Sequence, residues 1–228
     1  MTPQRAHAQA SGLAARGGRF VVLEGGDGAG KSTQVAMLTS SLRRNGFTDV
    51  VRTREPGGTA VGERIRDLLL HGGHVAPRAE ALLYAADRAH HVAEVIRPAL
   101  ARGAIVLADR FVDSSIAYQA GARGLPEAEI LAINEVATGG LTPDVTVVLD
   151  LAPELGAHRR RGSGDRIESE AITFHALVRE RYLALAARHP DRYLVVAADR
   201  SPEVVHQDVL AATMAVLAGS NPAPEAVP

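Results

Sequence analysis

The chain contains Gly25-Gly26-Asp27-Gly28-Ala29-Gly30-Lys31-Ser32 directly after the apolar run Phe20-Val21-Val22-Leu23 and before a helix-forming stretch, Thr33 to Asn45. Strand, glycine-rich turn and helix start in that order form the phosphate-binding loop G-x-x-x-x-G-K-[ST]. Glycines let successive backbone N–H groups point into one concavity, and the helix N-terminus adds about half a positive charge. Lys31 is placed to reach the β- and γ-phosphates of a nucleoside triphosphate, and the Ser32 hydroxyl to ligate Mg²⁺. Of 25 basic side chains, Lys31 is the only lysine; the others are arginine. A compact ammonium on a flexible stem fits between phosphates where a guanidinium fork does not. An accidental glycine-rich turn would explain neither the flanking elements nor the solitary lysine.

With 228 residues the chain suits one domain with ample core. A net charge of −1 gives no field that would recruit nucleic acid or a membrane. The absence of cysteine excludes disulfides and thiolate metal sites and suits a cytoplasmic protein. No apolar run approaches the roughly 18 residues of a spanning helix. Residues 1–18 lack an apolar centre and read as a disordered leader, and residues 219–228, with three prolines, as a disordered tail.

Continuous apolar runs recur at Phe20–Leu23, Asp49–Thr53, Ile105–Ala108, Val145–Leu149 and Tyr193–Ala197, separated by helix-sized segments. This predicts an α/β fold in which helices cover both faces of a parallel sheet, with ligands at the strand carboxyl ends. After the second strand, Glu55-Pro56-Gly57-Gly58 makes a shaped turn, and Glu55-Pro56 could be cis. A long helical pattern from Pro77 to Arg102 carries Tyr84 and Arg88 one turn apart; alone, these would read as a core ring and a solvated charge. His90 and His91 have no partner at metal-ligand spacing, so no metal is expected there. The third and fourth strands end in Asp109 and Asp150, and either could be the Mg²⁺ acid; Asp109 is favoured because Arg110 beside it could hold a second anion. Arg159-Arg160-Arg161, two glycines, then Asp165-Arg166, with helix resuming, describe a hinged arginine lid over about residues 159–168.

These motifs resemble the thymidylate kinase family from about Arg19 to Leu217. The specific ones are E-G-x-D-G-x-G-K-S (Glu24–Ser32), T-R-E-P-G-G-T (Thr53–Thr59), D-R-F-x-D-S-S-x-A-Y-Q (Asp109–Gln119) and a D-R-I-E after the arginine cluster. The likeness is to bacterial-type members, which place the catalytic arginine in the lid. It implies a three-layer α/β/α nucleoside-monophosphate-kinase-like fold with five parallel strands, a homodimer, ATP and dTMP as substrates, and dTDP as product on the way to dTTP. Besides the loop from Gly25 to Thr33, ATP would meet Asp199 and Arg200 near adenine. Asp27 would lie between the nucleotides, Arg66 and Arg110 would hold the acceptor phosphate, and Glu55-Pro56 would wall the sugar. Tyr84, where the family usually has Phe, would stack on thymine; Arg88 would donate to its O4 edge; Ser115 and Gln119 would complete the base contacts. Tyr118 would exclude a ribose 2′-hydroxyl. Arg161 would act at the transition state, with Arg159 and Arg166 as neighbours in that role, and Ser32 and Asp109 would hold Mg²⁺.

Two rivals remain at this level. Another small-substrate P-loop kinase would take a different nucleotide, or a nucleoside, which needs a general base for its hydroxyl. A switch or motor NTPase would hydrolyse ATP without an acceptor, and would leave Tyr84, Arg88, Ser115 and Gln119 without a purpose.

Overall fold

A computed structural model describes residues 17–159 and 164–219. Five parallel strands form one sheet: β1 (Arg19–Gly25), β2 (Val50–Arg54), β3 (Ile105–Asp109), β4 (Val145–Asp150) and β5 (Tyr193–Ala197), in the order β2-β3-β1-β4-β5. The register pairs Leu23 of β1 with Asp109 of β3 and with Val147 of β4. All carboxyl ends therefore face one way, and the chain order reverses direction on either side of β1, where such sheets bind ligands.

The apolar runs are continuous because both faces are covered. Val21 and Leu23 point into a core with Leu38 and Leu42 of α1 (Lys31–Arg44) and Val209. Phe20 and Val22, one residue out of phase, face Val92, Ile96 and Ala99 on the opposite side. Further helices are α2 (Ala60–His71) and α3 (Pro77–His91), which continues through a π-helical turn, Val92–Ile96, into α4 (Arg97–Ala101). Then follow α5 (Val112–Ser115) with a π-helical segment Ile116–Ala122, α6 (Glu127–Thr138), α7 (Pro153–Arg159), α8 (Ile172–Arg188) and α9 (Pro202–Leu217).

Three local expectations are adjusted. The first helix begins at Lys31, two residues before the expected start, because the loop's own lysine and serine form its first turn. Chain order extends upstream of Arg19: the Gly18 N–H donates to the Leu100 carbonyl at 3.0 Å. The chain beyond the arginine cluster does not resume as helix at once. Asp165 turns it, its carboxylate accepting from the N–H groups of Ile167 and Glu168 at 2.9 Å each, and α8 starts only at Ile172. Residues 1–16 of the expected leader, residues 220–228 of the expected tail, and Arg160 to Ser163 of the lid lie outside the described residues.

Candidate active site

At the carboxyl ends of β1, β2 and β3 lies a cleft of about 610 Å³. Its first wall is the loop between β1 and α1. Gly30 stands at φ +94°, a left-handed conformation that glycine adopts at little cost, and α1 begins without a side-chain cap. By contrast, α2 is capped by Thr59, whose hydroxyl accepts from the Gly62 N–H at 2.9 Å. The orphan N–H groups of α1 are thus left to an anion. A side chain at Gly28 would sit 2.4 Å from the Gly156 carbonyl, so the loop and α7 touch through bare backbone. Lys31 is buried, its Nζ donating to the carbonyls of Gly25 (3.0 Å) and Gly26 (2.9 Å), which leaves one N–H for a phosphate. Burial lowers its pKa, with Arg110 adding to the effect and the acids Asp109 and Asp27 opposing it.

The two acids that sequence left open are separated by their partners. Asp150 is held by Arg179 through two hydrogen bonds of 2.6 and 2.9 Å. Asp109 lies across the loop, its Oδ2 accepting from Ser32 Oγ at 2.6 Å. Two hard oxygen donors at one point beside the phosphate loop suit Mg²⁺.

Arg110 follows Asp109 at φ +75°, a conformation uncommon outside glycine, which turns its side chain into the cleft. Its Nη2 donates to Asp27 Oδ1 at 2.5 Å and to the Tyr118 hydroxyl at 3.1 Å. Its Nη1 donates to Gly25 O, Ser114 Oγ and Tyr182 OH at 3.1–3.2 Å. Tyr118 OH donates in turn to Asp27 Oδ2 at 3.1 Å. Burial works against the charge of Asp27, but Arg110 and Lys31 outweigh it and hold the carboxyl down to about 2. A group so acidic is a poor general base at neutral pH.

The opposite wall carries Glu55, Pro56, Arg66, Tyr84, Ser115, Tyr118 and Gln119. The Glu55-Pro56 bond is cis, and Arg66 Nη1 donates to the Pro56 carbonyl at 3.0 Å. Tyr84 is half-buried and lines the cleft, and burial, then Glu80, push its hydroxyl well above the ordinary tyrosine pKa. Arg88 is no surface charge. It is 1% exposed, with Nε on Glu55 Oε2 (2.7 Å), Nη1 on Ser115 Oγ (2.9 Å) and on Asn134 Oδ1, and Nη2 on the Phe111 carbonyl (2.8 Å). Arg88 does not itself line the cleft but stands behind its wall, and among the described residues one Nη2 hydrogen remains without an acceptor. His91, for which sequence offered no partner, donates through Nδ1 to Glu55 Oε1 at 2.8 Å.

At the far end, the loop after β5 contributes Ala198, Arg200 and Pro202. Arg200 lines the cleft; Asp199 beside it does not. Arg159 also lines it, donating to the Ala198 carbonyl at 2.9 Å. Arg166, expected beside the transferring group, is turned away: it meets Glu80 Oε2 at 2.7 Å and its Nε donates to the Leu69 carbonyl. Arg161 lies outside the described residues.

Sequence reading missed Tyr182, and gave Glu24 and Ser114 no role of their own beyond their place in the motifs. Glu24 is fully buried at the end of β1. Its Oε1 accepts from the N–H groups of Phe111 (2.8 Å) and Ser114 (3.2 Å), and its Oε2 from Ser114 Oγ (2.7 Å) and Tyr182 OH (2.9 Å). Both hydroxyls then offer lone pairs to Arg110. The signal was present: an acid closing an otherwise apolar strand. Burial first, then Asp113, raise the Glu24 carboxyl from 4.5 to about 7. Between those values the folded chain binds more protons than the unfolded. The stabilisation from Glu24 is therefore complete below about pH 4.5 and is lost as pH climbs through about 7. Comparing denaturant stability of wild type and Glu24→Gln from pH 5 to 8 should show the gap moving toward the glutamine variant by about 1–3 kcal/mol. Parallel curves would refute the assignment.

A phosphate loop on β1, an acid at the tip of β3 and arginines facing both across one cleft define a P-loop phosphotransferase of the nucleoside-monophosphate-kinase type. The family model for thymidylate kinase matches residues 23–209. The chain belongs to the thymidylate kinase family. It is 52% identical over 209 residues to a thymidylate kinase of Clavibacter sepedonicus, covering 90% of this chain and 99% of that one. With a thymidylate kinase of Leifsonia xyli subsp. xyli it shares 55% over 199 residues, covering 85% and 93%. The crystal structure of thymidylate kinase from Ehrlichia chaffeensis superposes with a TM-score of 0.74 at 31% identity, covering 86% of this chain and 99% of that one.

Proposed function

We propose that this cleft moves the γ-phosphoryl group of ATP onto the 5′-phosphate of dTMP, releasing ADP and dTDP, a step toward dTTP. The observation that carries the reading is two anion holders facing each other: the Lys31 loop and the Arg110 guanidinium, with Asp27 between them. An acceptor phosphate oxygen forms the new bond to phosphorus while the bond to the β–γ bridging oxygen breaks. The acceptor is already anionic, so the site needs no strong base, in keeping with an Asp27 carboxyl held near 2. Positioning and charge neutralisation supply most of the rate.

In this reading Gly25 to Thr33 cradle the ATP phosphates and Arg200 flanks adenine, with Arg159 beside it. Arg66 and Arg110 hold the acceptor phosphate; Tyr84 stacks on thymine, and Arg88, Ser115 and Gln119 serve its edge. Tyr118, its hydroxyl fixed on Asp27, closes the space beside the sugar 2′-carbon. Arg161 is assigned to the transition state, and Arg166 to anchoring the lid. Ser32 and Asp109 would hold Mg²⁺, which when bound neutralises charge on the phosphates. We place the enzyme in the cytoplasm as a homodimer, to which exposed Val61 and Leu68 of α2 and Leu82 of α3 offer apolar surface; a monomer in sedimentation velocity would contradict that. Among the described residues no helix is long and apolar enough to cross a membrane.

An ADP-release assay across dTMP, dUMP, dCMP, dGMP and thymidine tests class and substrate together. dTMP should be the best acceptor. dUMP, lacking one methyl, should fall by roughly 10- to 100-fold in kcat/KM, dCMP by more, and thymidine should be inert. ATP consumption indifferent to dTMP would end the proposal.

A further inference from the structure

We infer that Glu80 is a specificity-determining positioning residue: it fixes the Gln119 amide with its carbonyl oxygen toward the acceptor base, selecting bases that carry an N3–H donor. The inference rests on reading the cleft as the dTMP site. Glu80 lies on α3 one turn before Tyr84 and is 0% exposed. Its Oε1 accepts from Gln119 Nε2 at 2.9 Å and from Arg123 Nε at 3.3 Å. Its Oε2 accepts from Arg123 Nη2 at 3.3 Å and meets Arg166 Nη2 at 2.7 Å.

A carboxylate between two guanidinium groups offers only lone pairs, so the NH₂ end of the Gln119 amide must face it. The carbonyl end is left for the cleft that Gln119 lines. Thymine and uracil present N3–H to such an acceptor. Cytosine presents a bare lone pair there, and two facing acceptors buried together are costly.

The two arginines that hold the carboxylate are themselves held. Arg123 also donates to Glu170 at 2.6 Å and stands 4.7 Å from the Phe174 ring centroid, and Arg166 is tied to the Leu69 carbonyl. The turn after the arginine cluster and the reader of the base therefore share one anchor.

Glu80→Gln separates orientation from bulk. A glutamine there has one donating end, and aiming it at the two arginines would set N–H against cations. Aimed at Gln119, it gives up only the 3.3 Å contact with Arg123 Nε, against two guanidinium contacts at the other end, and forces that amide to turn its NH₂ toward the base. In Glu80→Gln, kcat/KM for dTMP and dUMP should fall together by roughly 10- to 100-fold. The loss should appear mainly in acceptor KM, with ATP KM unchanged, and the dTMP:dCMP ratio should shrink at least about tenfold. The double variant E80Q/Q119E places an acceptor-only group before the base and should recover most of that ratio. A folded E80Q that keeps the wild-type ratio, or loses all three nucleotides equally, overturns the inference. Should E80Q fail to fold, the double variant decides: a ratio near wild type supports the proposal, and a collapsed one overturns it. A wild-type enzyme inert toward dTMP would instead remove the substrate reading beneath it.

Discussion

Lys31→Ala should lower the rate of phosphoryl transfer by about 10³-fold, about 4 kcal/mol of transition-state stabilisation. The loss should fall on kcat, with dTMP binding by calorimetry left within a few-fold, because the proposed site for dTMP lies across the cleft at Arg110. Lys31→Arg should rescue little. The loop closes on Nζ through the carbonyls of Gly25 and Gly26, and a planar five-donor fork cannot occupy that seat and still reach a phosphate. The solitary lysine makes the test unusually clean: isotopic dimethylation marks only Lys31 and the chain's α-amino group, so one NMR signal reports its protonation and its response to ATP. Since burial lowers its pKa, that signal should titrate below the free amine, and added triphosphate should shift it back up. Turnover surviving in Lys31→Ala would mean that the loop is not the donor site.

The sheet was legible because its strands are buried on both faces. Phe20–Leu23 and Val145–Leu149 read as unbroken apolar runs, and period and length sufficed to place them. The phosphate loop was legible because its backbone demands glycine at fixed spacing. Asp109 against Asp150 was a different kind of question. Both acids end a strand in the same way, and only the Arg179 partner, 29 residues from Asp150, removes the second. The position of Arg166 was likewise hidden, since its partner Glu80 lies on α3 and no spacing rule links a lid to a distant helix. Arg88 shows the limit of helical register. Tyr84 and Arg88 are one turn apart, yet the ring lines the cleft while the guanidinium is clasped from behind by groups brought from β2, α5 and α6.

Arg110→Met should be the most damaging change on the acceptor side, because one guanidinium joins the proposed acceptor site to the core beneath it. With it gone, Asp27 keeps Tyr118 as a donor and Lys31 as a nearby cation but loses its ion pair, the Gly25 carbonyl is left with Lys31 alone, and the Ser114 and Tyr182 hydroxyls each lose a donor. Breaking a largely buried ion pair by removing one partner costs about 3–5 kcal/mol, and the side chains of Arg110 and Asp27 are only 15% and 16% exposed. The strained φ of +75° stays, so no compensating relief is available except in Arg110→Gly, which should recover roughly 1 kcal/mol of stability and no activity. Acceptor kcat/KM should fall by about 10³-fold or more, while ATP KM changes little. Acid titration provides an independent reading. Wild-type Asp27, lowered from 3.8 to about 2, contributes stability that is whole above 3.8 and is lost as pH falls toward 2. In Arg110→Met the Asp27 pKa rises toward the ordinary value or past it, so this acid-side loss should shrink or change sign in denaturant titrations between pH 5 and 3. If acceptor kinetics stayed within threefold and the acid limb were unchanged, Arg110 would be a structural arginine, and the second anion site would have to be sought at Arg66.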